Sequence, residues 1–184
     1  MTASYHLDLT KVQILPFCRE TAVNQFDCGK RPINQFIKNK AKKCDRRYEH
    51  KVFCARFNGS RNCIGYYALQ VGSDSVSELQ SSKSYIQSYV AFPAVHLSYL
   101  GVHEPYRRQG LGEYLLMDVF SKVTEVAKYV GFYALTLQSL DDEATAFYKS
   151  LGFAIYSENL KQPKMLYPLA DILTLVNSNR QALV

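Results

Sequence analysis

Ala94-Val-His-Leu-Ser-Tyr-Leu-Gly-Val-His-Glu-Pro-Tyr-Arg-Arg-Gln-Gly-Leu-Gly-Glu-Tyr-Leu-Leu-Met-Asp118 decides the fold of this chain. Its first part, Ala94 to Val102, is rich in β-branched and aromatic residues and predicts a strand that Pro105 stops. The segment from Tyr106 to Gly112 predicts a charged turn. A helix over 110–130 follows, with Leu115, Leu116, Val119, Phe120, Val123, Val126, Ala127 and Val130 recurring on one face. The first N–H groups of such a helix lack partners within it, and its dipole places positive potential there. Gly110 and Gly112 carry no Cβ, so an anion can approach their backbone, while Arg107 and Arg108 add forked cationic donors. The turn therefore reads as a pyrophosphate site. It is not a P-loop, because Glu113-Tyr114 follows Gly112 where Lys-Ser/Thr is needed. Nor is it a dinucleotide fingerprint, because Leu115 stands where a third glycine is required.

Composition frames that reading. The chain has 184 residues, 47% apolar and 21% charged, which is the profile of a globular domain with a substantial core. No apolar run reaches membrane-spanning length and the N-terminus lacks a signal-peptide pattern, so a cytoplasmic location is expected. The five cysteines (18, 28, 44, 54 and 63) form no C-x-x-C pair, and reduced thiols are expected. The four histidines show no metal-ligand spacing, so no metal is expected. Charge is concentrated: residues 30–51 hold nine bases and two acids, a net +7 against +6 for the whole chain. A solvated helix face and a footprint for a polyanion such as RNA both fit this excess.

Along the chain, Leu7 to Leu15 reads as a strand ended by Pro16, and 17–27 as ambiguous, a short helix among the options. Phe26-Asp-Cys-Gly29 reads as a turn. A helix from Pro32 to about Tyr48 should turn Ile33, Phe36, Ile37, Ala41, Cys44 and Tyr48 inward and its bases outward. Strands at 51–57 and 64–71 flank Asn58-Gly59. The serine-rich 72–88 reads as a loop, 132–137 as a strand, and 141–150 as a short helix. Further strands are expected at 153–156 and 165–167, then a helix turn at 171–176 and a polar tail at 177–184.

Arg107-Arg108-Gln109-Gly110-Leu111-Gly112 resembles motif A of the GNAT N-acetyltransferase superfamily, Arg/Gln-x-x-Gly-x-Gly/Ala between a strand and a long helix. Asp141-Asp-Glu-Ala-Thr-Ala-Phe-Tyr-Lys-Ser-Leu-Gly-Phe153 resembles the superfamily's C-terminal signature, Asn/Asp-x-x-Ala-x-x-Phe-Tyr-x-x-x-Gly-Phe. Two such patterns in order are far more specific than either alone. The resemblance implies an α/β (α+β) fold in one domain, 1–184. Its mixed, mostly antiparallel sheet should hold about six to seven strands flanked by helices, with a central splayed parallel pair at 94–102 and 132–137. It implies acetyl-CoA as co-substrate, bound by Leu100, Gly101 and Val102, by Arg107, Arg108, Gln109, Gly110, Leu111 and Gly112, and by Asp141. It implies Tyr148 as the general acid that protonates the departing thiolate, suited by an ordinary phenol pKa of about 10. No general base stands out; His96, His103 and Glu104 are candidates by position. An α-amino group, with a pKa of about 7.7–8.0, would need less help than a lysine at about 10.4.

In the N-terminal half, Phe26-Asp-Cys-Gly29, Ile33-Asn-Gln-Phe36-Ile37, Ile64-Gly-Tyr-Tyr-Ala-Leu69 and Phe92-Pro93 resemble the GNAT-type toxins of toxin–antitoxin modules. Two positions depart from the toxin pattern. Tyr99 stands where an arginine is usual, and Ile33-Asn34 where Leu-Asp is usual. The resemblance implies acetylation of the α-amino group of aminoacyl-tRNA, and admits a small antitoxin partner and a homodimer. Lys38, Lys42 and Arg46, spaced at i, i+4 and i+8, are the expected RNA contacts. A GNAT acting on a small amine or a protein terminus, and a non-catalytic acyl-CoA or RNA-binding module, remain the alternatives.

Overall fold

The computed structural model describes residues 7–75, 91–157 and 161–181. Its strands are β1 (Val12–Pro16), β2 (Lys51–Phe57), β3 (Gly65–Ser75), β4 (Ala91–Val102), β5 (Ala134–Gln138), β6 (Ala154–Ser157) and β7 (Lys164–Pro168). They form a seven-stranded sheet in the order β1-β2-β3-β4-β5-β7-β6. The pairs β1–β2, β2–β3, β5–β7 and β6–β7 are antiparallel, and β4–β5 is parallel. This is the mixed, mostly antiparallel sheet that the sequence led us to expect. The helices are α1 (Arg31–Gln35), a π-helical turn (Phe36–Lys40), α2 (Ala41–Arg46), α3 (Leu111–Val126), α4 (Asp142–Ser150) and α5 (Leu169–Gln181). Among the described residues, no helix is long and apolar enough to cross a membrane.

The chain clusters into two compact units, one built from residues up to 70 with 99–119, the other from 71–98 with 120 onward. In the first unit, period-two alternation sorts side chains between two layers. Val52, Cys54, Tyr66 and Ala68 face inward against Phe26, Phe36, Ile37 and Ala41 of the helical segment. On the opposite face Phe53 stacks on Tyr67 at 5.1 Å, and the Tyr67 hydroxyl donates to Asp118 of α3 at 2.5 Å. Gly65 lets α3 approach closely, since a Cβ there would stand 3.0 Å from Leu115 Cδ1. In the second unit Phe92, Ala94, Ala134, Tyr156 and Leu166 form one cluster. Phe120, Phe153 and Tyr167 form another, with Phe120 and Tyr167 centroids 5.0 Å apart. Each buried phenylalanine or leucine among these contributes about 1.5–3 kcal/mol.

The structure corrects several sequence expectations. The basic helix is not one α-helix over 32–48. At its centre the Ala41 N–H bonds to Phe36 O, five residues back. An unbroken α-helix would set Lys40 one turn above Phe36. The wider π turn sets Ala41 there instead, keeping Phe36, Ile37 and Ala41 buried and Lys40 in solvent. Tyr48, expected inside, is 83% exposed with φ +61°. Residues 9–11 form a 3-10 turn rather than strand, because the Asp8 carboxylate accepts from Thr10 N and caps it. Residues 17–27 form turns with one bridge, Ala22 to Asn62, and no helix. Strand β3 runs on through Ser75 into the expected loop 72–88, whose remaining residues lie outside the described chain. Helix α3 ends at Val126, four residues short of 130, where Tyr129 and Val130 find no apolar cover. The last helix is far longer than 171–176. It starts with Leu169 N bonded to Tyr133 O and is anchored by fully buried Ile172.

Candidate active site

The turn before α3 is built by its own side chains. Residues Glu104–Tyr106 make a 3-10 turn, Arg108 and Gly110 take positive φ of 59° and 82°, and the Tyr114 N–H bonds Gly110 O to open the helix. Arg108 is exposed in a backbone conformation unusual for a non-glycine residue, the kind of local strain that clusters at functional sites. Gln109 is a strut: its Oε1 accepts from Leu7 N at 2.8 Å and its Nε2 donates to Pro105 O at 2.9 Å. Leu111 sends its side chain into the core. The chemistry left to this turn is therefore in its backbone and in the charge of its two arginines. The first N–H groups of a sixteen-residue helix lie at this turn, next to Gly110 and Gly112, without partners inside the helix. A Cβ on Gly110 would meet only Leu9 Cδ1, at 3.6 Å. Open backbone donors, a helix dipole and two arginines fit a pyrophosphate.

Arg107 lies towards the Phe26–Gly29 turn. A Cβ on Gly29, whose φ is +75°, would stand 2.8 Å from Glu104 Oε1 and 4.0 Å from Arg107 Nη1. That turn is tied down further. Asp27 Oδ1 accepts from Gly29 N at 2.8 Å and from Asn34 Nδ2 at 2.6 Å, and Asn34 Oδ1 accepts from Cys28 N at 3.0 Å. These hydrogen bonds, Gly29 N–H first, hold the Asp27 carboxyl below its ordinary range. The sequence marked 26–29 as a turn and gave no role to Asp27. The signal available was the Asp-x-Gly spacing of an Asx turn.

Leu100, Gly101 and Val102 end β4. Gly101 is required by the protein's own packing, because a Cβ would lie 2.7 Å from Ile33 Cγ2 and 3.3 Å from Phe26 Cζ. The parallel ladder between β4 and β5 joins Ala94–His96 to Ala134–Thr136 only. Beyond it Leu137 and Gln138 go on pairing with Met165 and Lys164 of β7.

In the second unit α4 carries the tyrosine. Asp141 caps this helix, its Oδ1 accepting from Ala144 N at 2.9 Å, and its carbonyl accepts from Thr145 Oγ1. Tyr148 is 8% exposed, its ring edge-on to Phe147 at 5.2 Å and Phe153 at 5.5 Å. Burial raises its phenol above the ordinary value, so it stays protonated at neutral pH. Its hydroxyl has no hydrogen-bond partner among the described residues. A protonated, unengaged phenol is what a proton donor needs to be.

The three candidate bases part company. His96 Nδ1 bonds Thr136 Oγ1 and the ring lies against Gly72, half-buried, with burial lowering its pKa. His103 Nδ1 rests 2.8 Å from Asp27 O, and Glu104 N bonds the same carbonyl. Lys38, Lys42 and Arg46 are all exposed on the helical segment 31–46. Phe36 stacks on Tyr99 at 3.8 Å with His50 alongside, an aromatic group that neither motif foretold. Among the described residues, no group of His, Cys, Asp or Glu is gathered as a metal site.

This geometry has counterparts. The acetyltransferase (GNAT) family model matches residues 18–153. A probable toxin TacT of Sinorhizobium fredii is 29% identical over 161 residues, covering 82% of this chain and 87% of that protein. The crystal structure of a tyrosine-to-phenylalanine mutant of KacT superposes with a TM-score of 0.84 at 26% identity, over 90% of this chain and 99% of that one. AtaT complexed with acetyl-methionyl-tRNAfMet superposes with a TM-score of 0.81 at 25% identity, over the same shares. Because the family model spans most of the sequence, the chain belongs to the GNAT acetyltransferase family, whose co-substrate is acetyl-CoA.

Proposed function

We propose that this protein transfers the acetyl group of acetyl-CoA to the α-amino group of an aminoacyl-tRNA, within the cytoplasm and as a single catalytic domain. The observation that carries the reading is the outward face of 31–46. Lys38, Lys42 and Arg46 are all exposed there, within residues 30–51, the stretch that holds the chain's entire positive excess. The fold likeness to AtaT, solved with acetyl-methionyl-tRNAfMet, supports it.

The chemistry follows from the residues described. The backbone donors of the turn 110–112 and the charge of Arg107 and Arg108 hold the pyrophosphate. Gln109 and Asp141 keep the two motifs in shape. The end of β4, Leu100 to Val102, offers backbone groups to the pantetheine arm. The neutral amine nitrogen forms a bond to the thioester carbonyl carbon, and the C–S bond breaks. Tyr148 gives its phenolic proton to the departing sulfur and recovers one from solvent, while the attacking nitrogen, cationic once the bond has formed, releases one to leave the neutral amide. An α-amine needs no strong base, in keeping with the three candidate bases, two of which are occupied by structural contacts. Its toxin-like relatives make a small antitoxin protein the expected partner, and a second copy of the chain a further one.

Induced expression in bacteria tests this reading. Wild type should arrest growth, and Tyr148→Phe, which keeps the ring packing and loses only the hydroxyl, should not. Arrest by both proteins, at equal expression, would contradict it.

A further inference from the structure

A polar cleft of about 440 Å³ opens in the first unit beside the basic segment, lined by Asp27, Gly29, Arg31, Asn34, Gln35, Lys38 and Asn39. Its lining is unusual for a plain phosphate grip, because a carboxylate stands among the cations. Asp27 is fixed through Oδ1, which accepts from Gly29 N and Asn34 Nδ2, and it is held ionised. Its Oδ2 makes no hydrogen bond among the described residues, and neither do the side chains of Arg31, Gln35 and Asn39. Lys38 acts on Asp27 through its charge.

We propose that this cleft receives one unpaired ribonucleotide of the RNA substrate, with Asp27 Oδ2 accepting from the ribose 2′-hydroxyl. The inference rests on the RNA reading above and names the part of the RNA that is gripped. A free phosphate is disfavoured by a fixed carboxylate. A nucleotide is not, because it brings hydroxyl donors as well as an anion. Lys38 and Arg31 answer the phosphate, and the amides of Gln35 and Asn39 answer a base edge through paired donor and acceptor. Recognition of RNA over DNA at a given position depends on contacts to that hydroxyl, and sequence-specific RNA contacts fall on unpaired nucleotides whose base edges are open. The volume lies at the low end of small-ligand pockets, about 300–1,000 Å³, which suits one nucleotide and not a duplex. The cleft also adjoins Lys38, the first of the three exposed bases, so a strand leaving it would meet Lys42 and Arg46 along the same segment.

The test is calorimetric titration at low salt with the single-stranded tetranucleotide ACCA in ribo and all-deoxy forms. Wild type should bind the ribo form about tenfold tighter, the worth of one hydrogen bond to a charged group. Asp27→Asn keeps an amide oxygen for Gly29 N and Asn34 Nδ2, and should bring that ratio close to one. Asn39→Ala removes a side chain with no structural hydrogen bond and should weaken both forms. Lys38→Gln should lower the salt slope by about one. Circular dichroism melts confirm that each variant folds. A wild type that binds both forms equally, or a ratio unchanged in Asp27→Asn, overturns the proposal. Acetylation of aminoacyl-tRNA by wild type is measured in parallel. Acetylation with an unchanged ratio removes the cleft and leaves the enzyme reading standing. Discrimination without acetylation upholds the cleft as an RNA site and removes that reading.

Discussion

The two motif regions divide their labour in opposite ways. In the turn 107–112 the side chains are scaffolding. Gln109 braces Leu7 and Pro105, Leu111 is in the core, and Arg107 lies towards Gly29. What remains for a ligand is backbone, with the charge of Arg107 and Arg108 beside it. In α4 the backbone is scaffolding, capped by Asp141, and what remains is one hydroxyl, that of Tyr148, held among aromatic rings without a hydrogen-bond partner among the described residues. A backbone site tolerates side-chain changes that leave its path intact and fails when a Cβ or a negative charge enters. A single-atom site fails when the atom is removed, even with the packing preserved.

The largest expected effect comes from Tyr148→Phe. General acid catalysis is worth about a hundred- to ten-thousand-fold, so kcat should fall by that order while acetyl-CoA affinity stays nearly intact. A turnover number within about twofold of wild type would remove the role from Tyr148. Next comes Gly112→Asp, which places a carboxylate over the helix N-terminus. Acetyl-CoA affinity measured by calorimetry should fall at least about tenfold, since both the dipole and the open approach are spoiled. Unchanged affinity in a folded variant would break the backbone account of the turn.

Gln109→Ala sharpens the comparison because it removes scaffolding only. Two hydrogen bonds are lost, and the protein should lose about 1–3 kcal/mol of stability, read as a lower denaturation midpoint. A ligand role for this amide would instead show as a fall in acetyl-CoA affinity with the midpoint unchanged. The smallest effect concerns pH. Burial raises the Tyr148 pKa, so the proton donor is fully present at neutral pH and is lost only above the ordinary phenol range. The rate should therefore climb as the acceptor amine deprotonates through about 7.7–8.0 and then level off, with no fall from Tyr148 below about pH 10. His50 and His96 are both held below their ordinary value by burial. Each is stabilising when neutral, so stability should decline as pH falls below about 6.5. A denaturation midpoint flat from pH 7 to 5 would contradict that.

The sheet and both motif regions were legible in the sequence because each is signalled locally. The alternation of β2 and β3, the Pro105 stop, the glycines at 110 and 112, and the Asp141 cap can all be read within a few residues. The basic helix was legible by its charge and misread in its shape. The π turn at 36–40 answers a tertiary demand, the burial of Ala41 in place of Lys40, which no local spacing announces. Gly101 is similar: its need for closeness was visible, but the neighbour that comes close is Ile33, from nearly seventy residues earlier. Helix α5 was underestimated because its second half, from Asn177 on, is polar and its one fully buried anchor is Ile172. The cleft at Asp27 was hidden for the same reason as the π turn, since it joins a turn to a helix face through Asn34.

The most direct test of the central claim is mass spectrometry of aminoacyl-tRNA incubated with the purified protein and acetyl-CoA, then digested with nuclease to free the aminoacyl-adenosine. The account predicts an acetyl group on the α-amino nitrogen, formed with wild type and reduced at least about a hundredfold with Tyr148→Phe. Aminoacyl-adenosine that stays unmodified across a full set of charged tRNAs, from a protein that still binds acetyl-CoA, would contradict it.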